Sequence, residues 1–154
     1  MNKTYLNIFY LLIFVFFNIN AFSEENKKTI INVEADQLIT TQNPLKSEFI
    51  GNVYANDQKN FFWGDKMIIH YDANKKIELI NLEKNVKVKR INEEANGNFA
   101  SYNPKTETIE IIGDVTVFKD KNILHGEKLT IDLISSTSII TGNDDKQVSV
   151  KIVQ

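Results

Sequence analysis

Apolar and polar positions alternate with a period of two through most of the chain beyond residue 29. In the clearest run, Ile109, Ile111, Gly113, Val115 and Val117 alternate with Thr108, Glu110, Asp114 and Thr116, the signature of a strand with one buried face. The same spacing recurs at Phe49, Gly51, Val53 and Ala55, at Met67, Ile69 and Tyr71, at Val86 and Val88, and at Leu129, Ile131 and Leu133. No window sustains a helical stripe. Turn-forming clusters punctuate these runs at Asn43-Pro44, Asn56-Asp57, Asp72-Ala73-Asn74, Asn103-Pro104, Lys119 to Asn122 and Gly142 to Asp145. Together they predict roughly ten to twelve antiparallel strands of about six to nine residues in an all-β domain.

A repeat organises the pattern. A small residue, an acidic or amide residue, any residue and then an apolar one recur at Ala35-Asp36-Gln37-Leu38, Gly64-Asp65-Lys66-Met67, Gly97-Asn98-Phe99-Ala100 and Gly126-Glu127-Lys128-Leu129, with starts 29, 33 and 29 residues apart. Sixteen residues after the first, third and fourth starts stands a glycine, at Gly51, Gly113 and Gly142. The second unit ends instead in Asn85-Val86, matching Gly51-Asn52-Val53 and Gly113-Asp114-Val115 if four extra residues lie around Ile80 to Lys84. Glycines at fixed places inside strands predict bends that fold one part of a sheet over another.

Such stacked repeats bury their apolar stripe against a second sheet and enclose a trough, which is either filled by side chains or leaves room for an acyl chain. The inward candidates from periodicity are Phe49, Val53, Met67, Ile69, Val86, Ile111, Val115, Val117, Leu129 and Ile131. Phe62, Phe99 and Ala55 join them in a mixture of large and small residues suited to interdigitation. Thr29 to Glu34 and Gln147 to Val153 are β segments near the two ends of the domain. If each forms a sheet edge, strand addition joins copies or partners head to tail, although charges such as Glu34 and Lys151 also guard edges against pairing.

The first residues change the picture of the whole. Lys3 precedes an unbroken apolar run from Ile8 to Phe17, and Ala21-Phe22-Ser23 ends in small residues before Glu24-Glu25. This predicts a cleaved signal peptide over 1–23 and a single domain over 24–154; the rival reading is a retained membrane anchor. The 154-residue chain has no cysteine, so its stability rests on burial and backbone pairing even in an oxidising compartment. Of 18 basic and 20 acidic residues, losing Lys3 with the leader leaves a balance of −3, which offers no field for nucleic acid.

Chemistry is sparse. The two histidines, His70 and His125, fall at the polar face or rim of strands, and neither has a metal ligand at fixed spacing. Nucleophile elbows, phosphate loops and His-Glu-x-x-His are missing from the sequence. Asp144-Asp145 reads as a polar turn rather than a calcium loop. The expectation is a protein without catalytic residues, metal or cofactor.

The segments Ile31-Asn32-Val33-Glu34-Ala35-Asp36-Gln37, Phe49-Ile50-Gly51-Asn52-Val53, Gly64-Asp65-Lys66-Met67, Ala100-Ser101-Tyr102, Ile112-Gly113-Asp114-Val115 and His125-Gly126-Glu127-Lys128-Leu129-Thr130, in that order, resemble the LptA/OstA family of periplasmic lipopolysaccharide-transport proteins. The resemblance spans about Ile30 to Ile152. It implies an elongated, open-ended β-jellyroll that carries the lipid A acyl chains of lipopolysaccharide from the inner to the outer membrane. It also implies groove-lining roles for Ile31, Val33, Val88 and Tyr102, an LptC-like inner-membrane partner, an LptD-like outer-membrane partner and a head-to-tail homo-oligomer. Two other readings stay open: an LptC-like anchored member, and a structural β-scaffold with a filled core that joins partners by its edges.

Overall fold

The computed structural model describes residues 31–153; the signal peptide expected over 1–23 lies outside them. Ten strands form one antiparallel sheet among the described residues: β1 (Asn32–Glu34), β2 (Gln37–Gln42), β3 (Leu45–Asn56), β4 (Phe61–Tyr71), β5 (Ile77–Arg90), β6 (Glu93–Asn103), β7 (Thr108–Lys119), β8 (Asn122–Asp132), β9 (Thr137–Thr141) and β10 (Ser149–Lys151). From β3 to β8 each strand pairs with the next in sequence. At the edges, β1 and β2 share the free side of β3, and β9 and β10 share that of β8.

The central strands run 11 to 14 residues, longer than the sequence pattern predicts. The reason is that a bend does not end them. Gly51-Asn52 in β3, Lys84-Asn85 in β5 and Gly113-Asp114 in β7 each place two successive residues at positive φ. The ladders slip in register at the same places, so each strand kinks at a bulge and continues. Asn85-Val86 therefore is the counterpart of Gly51-Asn52-Val53, with a lysine where the sister strands have glycine.

Two expectations change. The extra residues of the second unit do not lie at Ile80 to Lys84, which pair regularly as Ile69–Ile80, Met67–Leu82 and Lys66–Glu83. They lengthen the β4–β5 hairpin tip, where the ladder slips between His70–Leu79 and Tyr71–Ile77. Gly142 is not a kink inside a strand: it follows β9, in the turn closed by the Asn143 N–H donating to the Lys146 carbonyl at 2.9 Å. A β-carbon there would run into that same carbonyl.

The bends divide the sheet into two leaves. Leaf one holds β2, β9 and residues 45–50, 66–71, 77–83, 99–103, 108–112 and 128–132; leaf two holds β1, β10 and residues 53–56, 61–64, 86–90, 93–97, 115–119 and 122–126. Strands approach each other at the backbone only as ladder neighbours, so the leaves touch through side chains. The acidic or amide member of the repeat stitches the fold line. Asn52 Nδ2 donates to Asp36 Oδ2 at 2.8 Å, and Asn85 Nδ2 to Asp65 Oδ2 at 2.9 Å. At the far end Lys146 Nζ donates to Asp114 Oδ1 at 2.7 Å.

Candidate functional site

Alternation decides which side chains enter the space between the leaves. From leaf one come Phe49, Met67, Ile69, Tyr102, Ile111, Leu129 and Ile131; from leaf two come Val33, Val53, Val86, Val88, Val115 and Val117. The structure gathers these into one apolar cluster. Val53, Met67, Ile69, Val86, Val88, Ile111, Val115, Val117, Leu129 and Ile131 are buried, while Ile31, Val33, Phe49 and Tyr102 are half-buried at its margins. The cluster also contains Ala55, Phe62, Ala95, Ala100, Ile80, Leu82 and Ile109. Ile80 and Leu82 escaped the sequence reading because the slip at Ile77–Leu79 breaks their parity with the apolar residues before them.

Phe99 corrects the expectation in the opposite direction. It pairs with Glu83 and Ile112 while its neighbour Ala100 is 1% exposed, so Phe99 faces outward. The bulge between Asn96 and Phe99 shifts the alternation of β6, and a reading with constant period puts this ring on the wrong side.

The cluster runs as an unbroken row across the strands, and neither end is capped among the described residues. At the first edge Leu38, opposite inward Phe49, is 57% exposed; at the last, Val150, opposite Leu124, is 51% exposed. Around β3 to β6, side chains from both leaves leave little space between them. The cavity between Ile31, Ala55 and Phe62 on one side and Met67, Ile80, Leu82 and Tyr102 on the other has a volume of about 10 Å³, room for no more than about one water. Asp57 reaches the same cavity from the tip of leaf two. Burial pushes the Tyr102 phenol above its ordinary pKa, with the charges of Glu107 and Asp57 adding to the shift.

Ser47, whose Oγ accepts from the Tyr71 hydroxyl at 3.4 Å, is the buried polar side chain of this row; the ion pairs lie outside it. On leaf one, Glu48 pairs with Lys46 and, at 3.2 Å, with Lys66, while Glu110 pairs with Lys128 at 2.6 Å. His70 Nε2 lies 3.5 Å from Asn81 Nδ2, and His125 Nδ1 lies 3.1 Å from Thr116 Oγ1. Among the described residues no group of three or more His, Cys, Asp or Glu side chains is placed to hold a metal ion.

These features define a class: a folded-over antiparallel sheet with a continuous apolar interior that, among the described residues, is open at both ends. A profile of the LptA and LptD N-terminal domain lipopolysaccharide-transport proteins matches residues 32–137. The chain belongs to this family, and lipopolysaccharide transport is the process it serves. Its fold is shared with the crystal structure of LptH, the LptA-homologous periplasmic component of the lipopolysaccharide transport device of Pseudomonas aeruginosa. The two superpose with a TM-score of 0.73 at 16% identity, over 82% of this chain and 96% of that one. Comparison with curated proteins returned no significant match.

Proposed function

We propose that this protein is a periplasmic carrier that holds the acyl chains of lipid A between its two leaves while lipopolysaccharide passes from the inner to the outer membrane. The observation that supports it most is the apolar row through both leaves, left uncapped at Leu38 and Val150. The mechanism is physical rather than catalytic: burial at about 25 cal/mol per Å² retains the lipid, and passage proceeds between like interiors without chemistry by the protein. Direction comes from elsewhere, since an apolar row has no energy source. The leader over 1–23 is removed, and residues 24–154 form the working domain.

The cavity between Phe62 and Tyr102, with about 10 Å³ free, cannot hold an acyl chain as it stands, so loading there separates the leaves. Their contact through side chains alone makes this motion compatible with intact ladders. In the same reading, the edges at β1/β2 and β9/β10 join copies head to tail and meet an LptC-like partner on the inner-membrane side and an LptD-like partner on the outer.

The filled interior also supports a second reading, a scaffold that joins partners by its edges and carries no lipid. Thermal unfolding with and without lipopolysaccharide separates the two. A carrier gains about 2.7 kcal/mol at a ligand concentration one hundred times Kd, whereas a scaffold melts at the same temperature in both conditions.

A further inference from the structure

The outer face of leaf two carries a row of side chains that the trough does not use. In cross-strand register, Tyr54 stands opposite Trp63, Trp63 opposite Lys87, Lys87 opposite Asn96, Asn96 opposite Thr116, Thr116 opposite His125, and His125 opposite Ser149. Their inward neighbours Val53, Val86, Ala95, Val115 and Val117 are buried, so the row itself faces solvent.

The row begins in an aromatic platform. Trp63, the single tryptophan of the chain, lies 5.4 Å between ring centroids from Tyr54 and 6.4 Å from Phe61, whose plane is 25° from its own. All three rings are partly exposed. Lys87 Nζ sits 4.7 Å from the Trp63 centroid. Beyond Asn96 the row ends in a recess of about 450 Å³ lined by Asp114, Thr116, His125, Lys146, Gln147 and Ser149.

Three contiguous, half-exposed aromatic rings on the wet face of a sheet pack on one another and on Lys87 but not on the core, and such a platform is a candidate binding surface. Several ligand classes do not suit it. Lys87 and Lys146 are paired with Glu94 at 3.8 Å and Asp114 at 2.7 Å, and Lys89, opposite Phe61, also stands opposite Glu94, so the strip's positive field is weaker than a nucleic acid or an anionic lipid surface requires. Phe118 and Ile123 flank Thr116 and His125 on the same face, but the row itself presents amide, hydroxyl and imidazole groups rather than the apolar centre of a protein interface. Flat rings followed by amide, hydroxyl and imidazole groups at the spacing of neighbouring strands, about 4.8 Å, match a sugar chain. Each sugar ring offers an apolar C–H face to stack on an aromatic and hydroxyls that both donate and accept.

We infer that the outer face of leaf two is a saccharide-binding strip, with Trp63, Tyr54 and Phe61 stacking on sugar rings and Asn96, Thr116, His125 and Ser149 hydrogen bonding to their hydroxyls. This rests on the carrier reading, and the sugar is that of the lipopolysaccharide whose acyl chains lie inside.

The test uses the full mature chain and the oligosaccharide freed from lipopolysaccharide by removal of its lipid A. Trp63 emission, the only tryptophan signal present, is expected to change saturably. Calorimetry is expected to show affinity falling at least tenfold in Trp63→Ala and several-fold in Asn96→Ala, which leaves the aromatic packing intact. Glu110→Gln, on the outside of leaf one, binds as the native chain does. No saturable change, or an unaltered affinity in both Trp63→Ala and Asn96→Ala with native melting, overturns the strip. Because the probe carries no acyl chain, that failure leaves the trough untouched; loss of lipid A binding with the oligosaccharide response intact refutes the carrier reading instead.

Discussion

Lys84 holds a backbone position, φ 60°, that Gly51 and Gly113 hold at 81° and 88° in the sister strands. The left-handed region costs a side-chain-bearing residue about 1–2 kcal/mol, while glycine costs about 0.5–1 kcal/mol in unfolded-state freedom. Lys84→Gly therefore raises stability by about 0.5–1 kcal/mol in denaturant titration. Gly113→Val does the reverse: its β-carbon meets Asn98 Nδ2 at 2.7 Å at positive φ, and the loss is about 2–3 kcal/mol. In the core, Leu129→Ala costs about 2–5 kcal/mol, since Leu129 is 2% exposed and leaves a cavity in a filled interior. Alternation alone made the buried positions from Val53 to Ile131 legible, because a half-wet strand must alternate. Phe99, Ile80 and Leu82 were illegible for the complementary reason: each follows a slip whose site depends on backbone angles, which hydrophobic pattern does not encode.

Hairpin tips are the elements most sensitive to acid. Asp72 Oδ1 accepts the backbone N–H groups of Asn74 and Lys76, both at 2.9 Å, and Asp132 Oδ1 accepts those of Ile134 and Ser135 at 2.8 and 2.9 Å. The Lys76 bond leads in holding Asp72 below the ordinary carboxylate range, and the Ser135 bond does so for Asp132. Lys46 and Lys66 hold Glu48 down by hydrogen bonding, and Lys146 does the same for Asp114. A depressed folded pKa contributes stability above the unfolded value, near pH 4, and that contribution is lost as pH falls through the folded value. The melting temperature is thus level near neutrality and declines below about pH 4–5, and Asp132→Asn shortens the decline; calorimetry across pH checks both. Most tips were legible in the sequence, as at Asn103-Pro104, since Asn, Asp and Pro favour reversals for local reasons. The tip at Ile91-Asn92 was not, because only the left-handed Asn92, φ 60°, marks it.

Across the whole molecule, the row that begins at Leu38 and ends at Val150 is a trough only if its walls part. Its ends meet like surfaces in the proposed head-to-tail assembly, so a charge at the last inward position blocks it. Val150→Lys, at a site 51% exposed, is expected to fold normally and to lack the concentration-dependent growth in light scattering that head-to-tail assembly predicts for the native chain. The folded-over architecture was legible from the spacing of Asp36, Asp65, Asn98 and Glu127 against Gly51, Asn85 and Gly113, because both sets meet on one fold line. The degree of filling was not: it depends on how closely the leaves approach, and no local pattern sets that distance.

The central claim is that acyl chains lie between the leaves. Photo-crosslinking residues at Val33, Val88 and Tyr102, with outward Glu110 as control, probe it directly when lipopolysaccharide adducts are sought in cells. Adducts at the three inward positions and none at Glu110 are the result expected. A folded, exported protein with no inward adducts, or with Glu110 labelled equally, contradicts the carrier and leaves the scaffold.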